Sequence, residues 1–138
     1  MLSPESESPA VPMTGTAPDR RSAQQTLHLR PEYHALVAAG VKTIEVRTAS
    51  PAKAAIRPGD TITFHTEEAA PVTCRVVRIT RYPDFVALLD HEQAAAINPE
   101  TTPKGILTVL RAIYPPEKEA RGALAIEIQL LPPAGRSW

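Results

Sequence analysis

The chain has 138 residues with 15 Lys and Arg against 15 Asp and Glu; this is the size of one domain, and no global field draws it to DNA or an acidic membrane. A lone cysteine, Cys74, excludes an internal disulfide. No apolar run approaches the roughly 18 residues of a membrane helix, and the N-terminus lacks a charged segment followed by an apolar one, so a cytoplasmic protein with no membrane partner is expected.

Residues 1–25 contain Pro4, Pro9, Pro12 and Pro18 among Ser, Thr and Ala, with no aromatic residue. Such a segment buries too little apolar area to offset chain entropy and is predicted to be a disordered leader. Thr26 to Arg30 alternates as a strand, and Pro31 opens a helix to Ala39 that Gly40 stops. Thr43 to Thr48 alternates again, with Ile44 and Val46 on one face and Glu45 and Arg47 on the other. The turn Pro58-Gly59-Asp60 leads into a strand from Thr61 to His65, and Val72 to Thr80 forms a long strand with Cys74 as a buried small hydrophobe. Asp84 caps a short helix carrying Phe85, Leu88 and Leu89, followed by an Ala-rich turn to Ile97. A further helix runs from Thr102 to Ile113, with Ile106, Val109, Leu110 and Ile113 at helical spacing, and Gly122 to Leu131 is a closing strand. Residues 132–138 read as a flexible tail ending in Trp138. The expected fold is α+β: a small mixed β-barrel of about five to six strands, sealed by its last strand, with two to three flanking helices.

The pieces Leu27-His28-Leu29-Arg30-Pro31-Glu32-Tyr33, Gly40-Val41-Lys42-Thr43-Ile44-Glu45-Val46-Arg47, Arg57 to Phe64, Val76 to Phe85 and Gly122 to Ile128 follow one another in an order that resembles the ASCH domains. The resemblance covers nearly all of residues 26–131 and implies a barrel related to the PUA-like RNA-binding modules, with a cleft where the G-x-K-T-x-E-x-R segment faces the helical insertion. Members of this superfamily are proposed to bind RNA, and some are assigned ribonuclease activity or hydrolysis of N4-acetylcytidine. Fold alone does not choose among these.

Within that segment Lys42 can meet a phosphate or polarise an acyl oxygen, and Glu45 can hold it charged and oriented. Arg47 can take a phosphate or base edge bidentately while Glu45 accepts from an exocyclic amine. The bland alternative is an ion pair at a barrel rim. Arg81, Tyr82 and His28 join them as candidate ligand-binding residues, Tyr82 as a stacking surface beside a bend. The expected function is binding of RNA or a nucleotide-like ligand in a cleft lined by Lys42, Glu45 and Arg47. The rival is a metal-independent hydrolase of RNA phosphodiesters or, as a nucleoside amidohydrolase, of N4-acetylcytidine, with Lys42, Glu45 and Glu100 as catalytic residues. The acetylcytidine hydrolases carry Thr three residues after the Lys, where this chain has Glu45. His28, His34, His65 and His91 are scattered without ligand spacing, so neither a metal nor any other cofactor is expected.

Overall fold

The computed structural model describes residues 22–133, so most of the expected leader and tail, Trp138 included, lies outside the described residues. Strand β1 (Gln24–His28) begins two residues before the expected Thr26. Asp60 explains the early start: its carboxylate accepts from Ala23 N and Arg57 N, each at 2.9 Å, tying the strand entry to the Pro58-Gly59 turn. Helix α1 (Pro31–Ala38) starts on its proline, whose missing N–H leaves no orphan donor. It ends at Gly40, where φ is 75°, a backbone that glycine adopts without cost. The chain then folds back so that Val41 N and Lys42 N both donate to Leu36 O at 3.0 Å. Lys42 is thereby fixed before the next strand begins.

Strand β2 (Ile44–Thr48) follows, then a single-turn helix α2 (Pro51–Ala54) and strands β3 (Thr61–His65) and β4 (Val72–Tyr82). Helix α3 (Phe85–His91) is capped by Asp84, which accepts from Ala87 N at 2.8 Å. Next come α4 (Ala94–Ile97), α5 (Pro103–Ile113) with Thr102 as its cap, a single-turn α6 (Pro116–Glu119) and β5 (Ala123–Leu130). The three longer helices match the expected count; α2 and α6 are single turns that the sequence pattern did not announce.

The sheet order is β1-β3-β4-β5-β2, with β1 and β3 parallel and the other pairs antiparallel. A bulge between Val76 and Arg78 breaks the long β4–β5 register, a device that bends and twists a strand. The result is a curled half-barrel. Its last strand does not seal it, contrary to expectation: β5 lies inside the sheet, and β1 and β2 are the edges. The edges are bridged by a side chain, as Arg47 NH2 of β2 donates to the backbone oxygen of His28 in β1 at 2.9 Å.

Two apolar clusters cover the two faces of the sheet. One joins Leu27, Leu29, Val37, Ile62, Phe64, Cys74, Val76, Leu124 and Ile126, and burial there pushes the Cys74 thiol up to about 11, in keeping with an inert packing role. The other packs Phe85, Leu88, Ile97, Ile106 and Leu110 from the helices against Ile44, Val46, Ala123 and Ala125. Each large side chain so buried contributes about 1.5–3 kcal/mol relative to exposure. Register places Glu45 opposite Ile126 and Arg47 opposite Leu124, on the first cluster's face, whereas Val46 sits with Ala125 under the helices. The charged side of β2 therefore faces inward.

Candidate functional site

Lys42 is held at its ammonium by three acceptors. Nζ donates to Ile44 O at 2.8 Å and Ile97 O at 2.9 Å, and lies 3.3 Å from Glu45 Oε1. An ammonium has three N–H donors, so these partners use all of its capacity. Thr43 N, next in the chain, donates to Ala96 O at 2.9 Å, so the end of α4 is docked on this segment twice. Both Lys42 and Glu45 are only 5 % exposed.

Glu45 is the shared partner, since its other oxygen accepts from Arg47 Nε at 2.6 Å. Burial alone would push its carboxyl up; the Lys42 and Arg47 charges and their hydrogen bonds outweigh that and hold it below the usual carboxylate range. Arg47 shows the converse balance: burial opposes its charge, and Glu45 more than restores it. Taking such ions out of water costs several kcal/mol each and is repaid only by good geometry, so a cluster of three at one place is unusual as a device for stability. It is more at home at a binding site.

The cluster forms the polar floor of a cavity of about 290 Å³, close to the lower end of the roughly 300–1,000 Å³ range of small-molecule clefts. Since β2 is a sheet edge, the cavity lies along its unpaired side. Ile97, Ile106, Val109, Leu110 and Ile113 make an apolar wall, with Asn98 and Thr101 at the link between α4 and α5. His28, Leu29, Arg30 and Tyr33 of the β1–α1 corner and Tyr114 at the end of α5 complete it. Burial holds the Tyr114 hydroxyl above the usual phenol range, with Arg47 pulling the other way, and this hydroxyl makes no hydrogen bond among the described residues. No group of His, Cys, Asp and Glu among the described residues is placed to hold a metal ion.

The ASCH domain family model matches residues 27–132. The chain belongs to the ASCH family. Among solved structures, this ASCH domain is 30% identical to the hypothetical protein PH0355, with a TM-score of 0.71 over 78% of this chain and 99% of that one. It is likewise 30% identical to protein PF0455 from Pyrococcus furiosus, TM-score 0.65, over 78% of this chain and 97% of that one. The ASCH protein from Zymomonas mobilis shares the fold at 16% identity, TM-score 0.55, over 76% of this chain and 66% of that one. No curated protein matches the chain. ASCH domains are generally RNA-binding, PUA-like modules.

In this ASCH domain Lys42, Glu45, Arg47 and His28 all line the cavity. His28 contributes mainly its backbone oxygen, for its imidazole pairs with Glu67 at 2.7 Å outside. Arg81, Tyr82 and Glu100 do not line it. The bend expected around Pro83 follows the end of β4, but Tyr82 beside it is engaged elsewhere: it pairs with Ala123, its hydroxyl donates to Glu92 and its ring stacks on His91, the centroids 5.6 Å apart. Arg81 donates to Arg121 O, and Glu100 is exposed; among the described residues only its backbone N–H is bonded, to Asn98 Oδ1. Arg30, Asn98 and Thr101 also line the cavity and were not among the expected site residues. The polar link Asn98 to Thr102 between α4 and α5 was the available signal for Asn98 and Thr101.

Proposed function

We propose that this domain is a binding module that takes RNA or a nucleotide-like ligand in the cavity beside β2, with a base against the apolar wall and polar groups over the Lys42–Glu45–Arg47 floor. The observation that carries this reading is the combination in one cavity of an apolar wall, two tyrosines and a buried charged floor. An aromatic face stacked on a base contributes about 1–3 kcal/mol whatever the base. The membership of a generally RNA-binding family supports it. The same reading puts the protein in the cytoplasm, where such ligands are met.

Binding is favoured over hydrolysis by the state of the floor. A general base works best with a pKa near the operating pH and a free lone pair. Glu45 is held below the usual range and both its oxygens are engaged, while Lys42 has no N–H left for an oxyanion. Glu100, the other candidate base, stands outside the cavity.

The test titrates the protein with labelled single-stranded RNA and with mononucleotides at low salt, where phosphate contacts are strongest. In parallel it is incubated with RNA and with N4-acetylcytidine and the products are separated. Saturable binding with intact substrates is the expected result, weakened in Lys42→Ala. Turnover that disappears in Lys42→Ala would instead establish the hydrolase.

A further inference from the structure

We infer that the ligand of this cavity is an anion, a base carrying a phosphate that Arg47 and Arg30 receive, rather than a neutral nucleoside. This rests on the reading just proposed and specifies it. Arg30, Lys42 and Arg47 line the cavity with Glu45 as their sole carboxylate, an excess of two positive charges. Glu32 and Glu67 stand outside the lining beside Arg30 and His28; the Arg30–Glu32 contact is long, 3.8 Å, and both groups are more than half exposed, so solvent screens it. A phosphate monoester brings about −1.5 to −2 at neutral pH, close to the charge that is missing.

Donor counting points to the same group. Lys42 is saturated, and Glu45 has given one oxygen to each cation. Arg47 spends Nε on Glu45 and NH2 on His28 O, and its NH1 has no partner among the described residues. Its side chain is also the most exposed of the three, 17%. A guanidinium anchored on one edge presents the remaining N–H groups at fixed geometry, the arrangement that suits a phosphate. Arg30 lies over the Tyr33 ring, 5.9 Å from its centroid, so a base stacked nearby has its phosphate within reach of that cation.

Calorimetric titration of the full chain tests this with the four common nucleosides, their 5′-monophosphates, inorganic phosphate and a short single-stranded RNA. For the best-binding base, the monophosphate should bind about tenfold tighter than the nucleoside at about 0.05 M salt. Most of that advantage should vanish in Arg30→Gln and at about 0.5 M salt. RNA bound more tightly than any mononucleotide, with the same Arg30→Gln loss, assigns the phosphate to a strand; the reverse order assigns it to a free nucleotide. A nucleoside that binds as tightly as its monophosphate, or a phosphate advantage indifferent to both Arg30→Gln and salt, overturns the inference and leaves the proposed function standing. If nothing in the panel binds, the proposed function falls with it.

Discussion

Glu45 holds two cations at once, Lys42 buried and Arg47 partly exposed, and its removal is therefore costlier than the loss of either. Glu45→Gln keeps the shape of the side chain but leaves Lys42 and Arg47 without a counter-charge, and removing one partner of a buried pair typically costs about 3–5 kcal/mol. Lys42→Met should cost less, because Arg47 still pairs with the carboxylate; urea unfolding of the two variants gives the order directly. His34 is a different case. It is 2% exposed and its Nε2 has no hydrogen-bond partner among the described residues, a situation that costs about 1–3 kcal/mol. His34→Leu, of similar volume, is expected to raise the melting temperature by about 4 °C, and a fall would show that a water or ion satisfies that nitrogen. The sequence made Glu45 and Arg47 recognisable as neighbours on one strand face. It did not reveal that Lys42 is spent, because its partner Ile97 O lies far along the chain, on a helix end whose docking depends on the whole second core.

At the scale of elements, local chemistry was readable and single turns were not. Pro31, Asp84, Thr102 and Gly40 act as the start and stop signals they resemble, and the spacing in α5 buries Ile106 and Leu110 as expected. Helices α2 and α6 have four residues each, too few for any periodicity. Strand β4 runs two residues past the expected Thr80, because pairing with β5 continues through Arg81 and Tyr82, and the chain then bends at Pro83 as expected. Two glycines separate conformational cost from steric cost. Gly40, φ 75°, has open space where a Cβ would stand, so Gly40→Ala should cost only the left-handed backbone, about 1–2 kcal/mol. At Gly122, φ 110°, a Cβ would come within 2.8 Å of Arg81 Nε and 3.3 Å of Tyr82 O, so Gly122→Ala should be the more damaging in the same denaturation experiment.

For the whole molecule, acid sensitivity follows from the carboxylates. Arg78 holds the Glu92 carboxyl below its usual range, Arg111 does the same for Glu119, and Glu45 is depressed by Lys42 and Arg47 against the cost of burial. A carboxyl with a depressed folded pKa contributes stability above its unfolded pKa and loses it as pH falls through the folded value. Stability against urea should therefore hold from pH 7 to about pH 5 and decline below about pH 4, more shallowly in Glu45→Gln.

The bridge from Arg47 to His28 O has a kinetic consequence. Strands β4 and β5 are laced on both sides by backbone ladders, whereas among the described residues the gap between β1 and β2 is spanned by one guanidinium. Parting that gap breaks no strand ladder and the cavity borders it on both sides, so it is the expected route of local opening. Amide exchange should read this motion, with protection in β1 lower than in β4 and β5 by about 100-fold or more. An occupant that engages Arg47 should slow the exchange of β1 in particular, recording its arrival as a loss of motion at the rim.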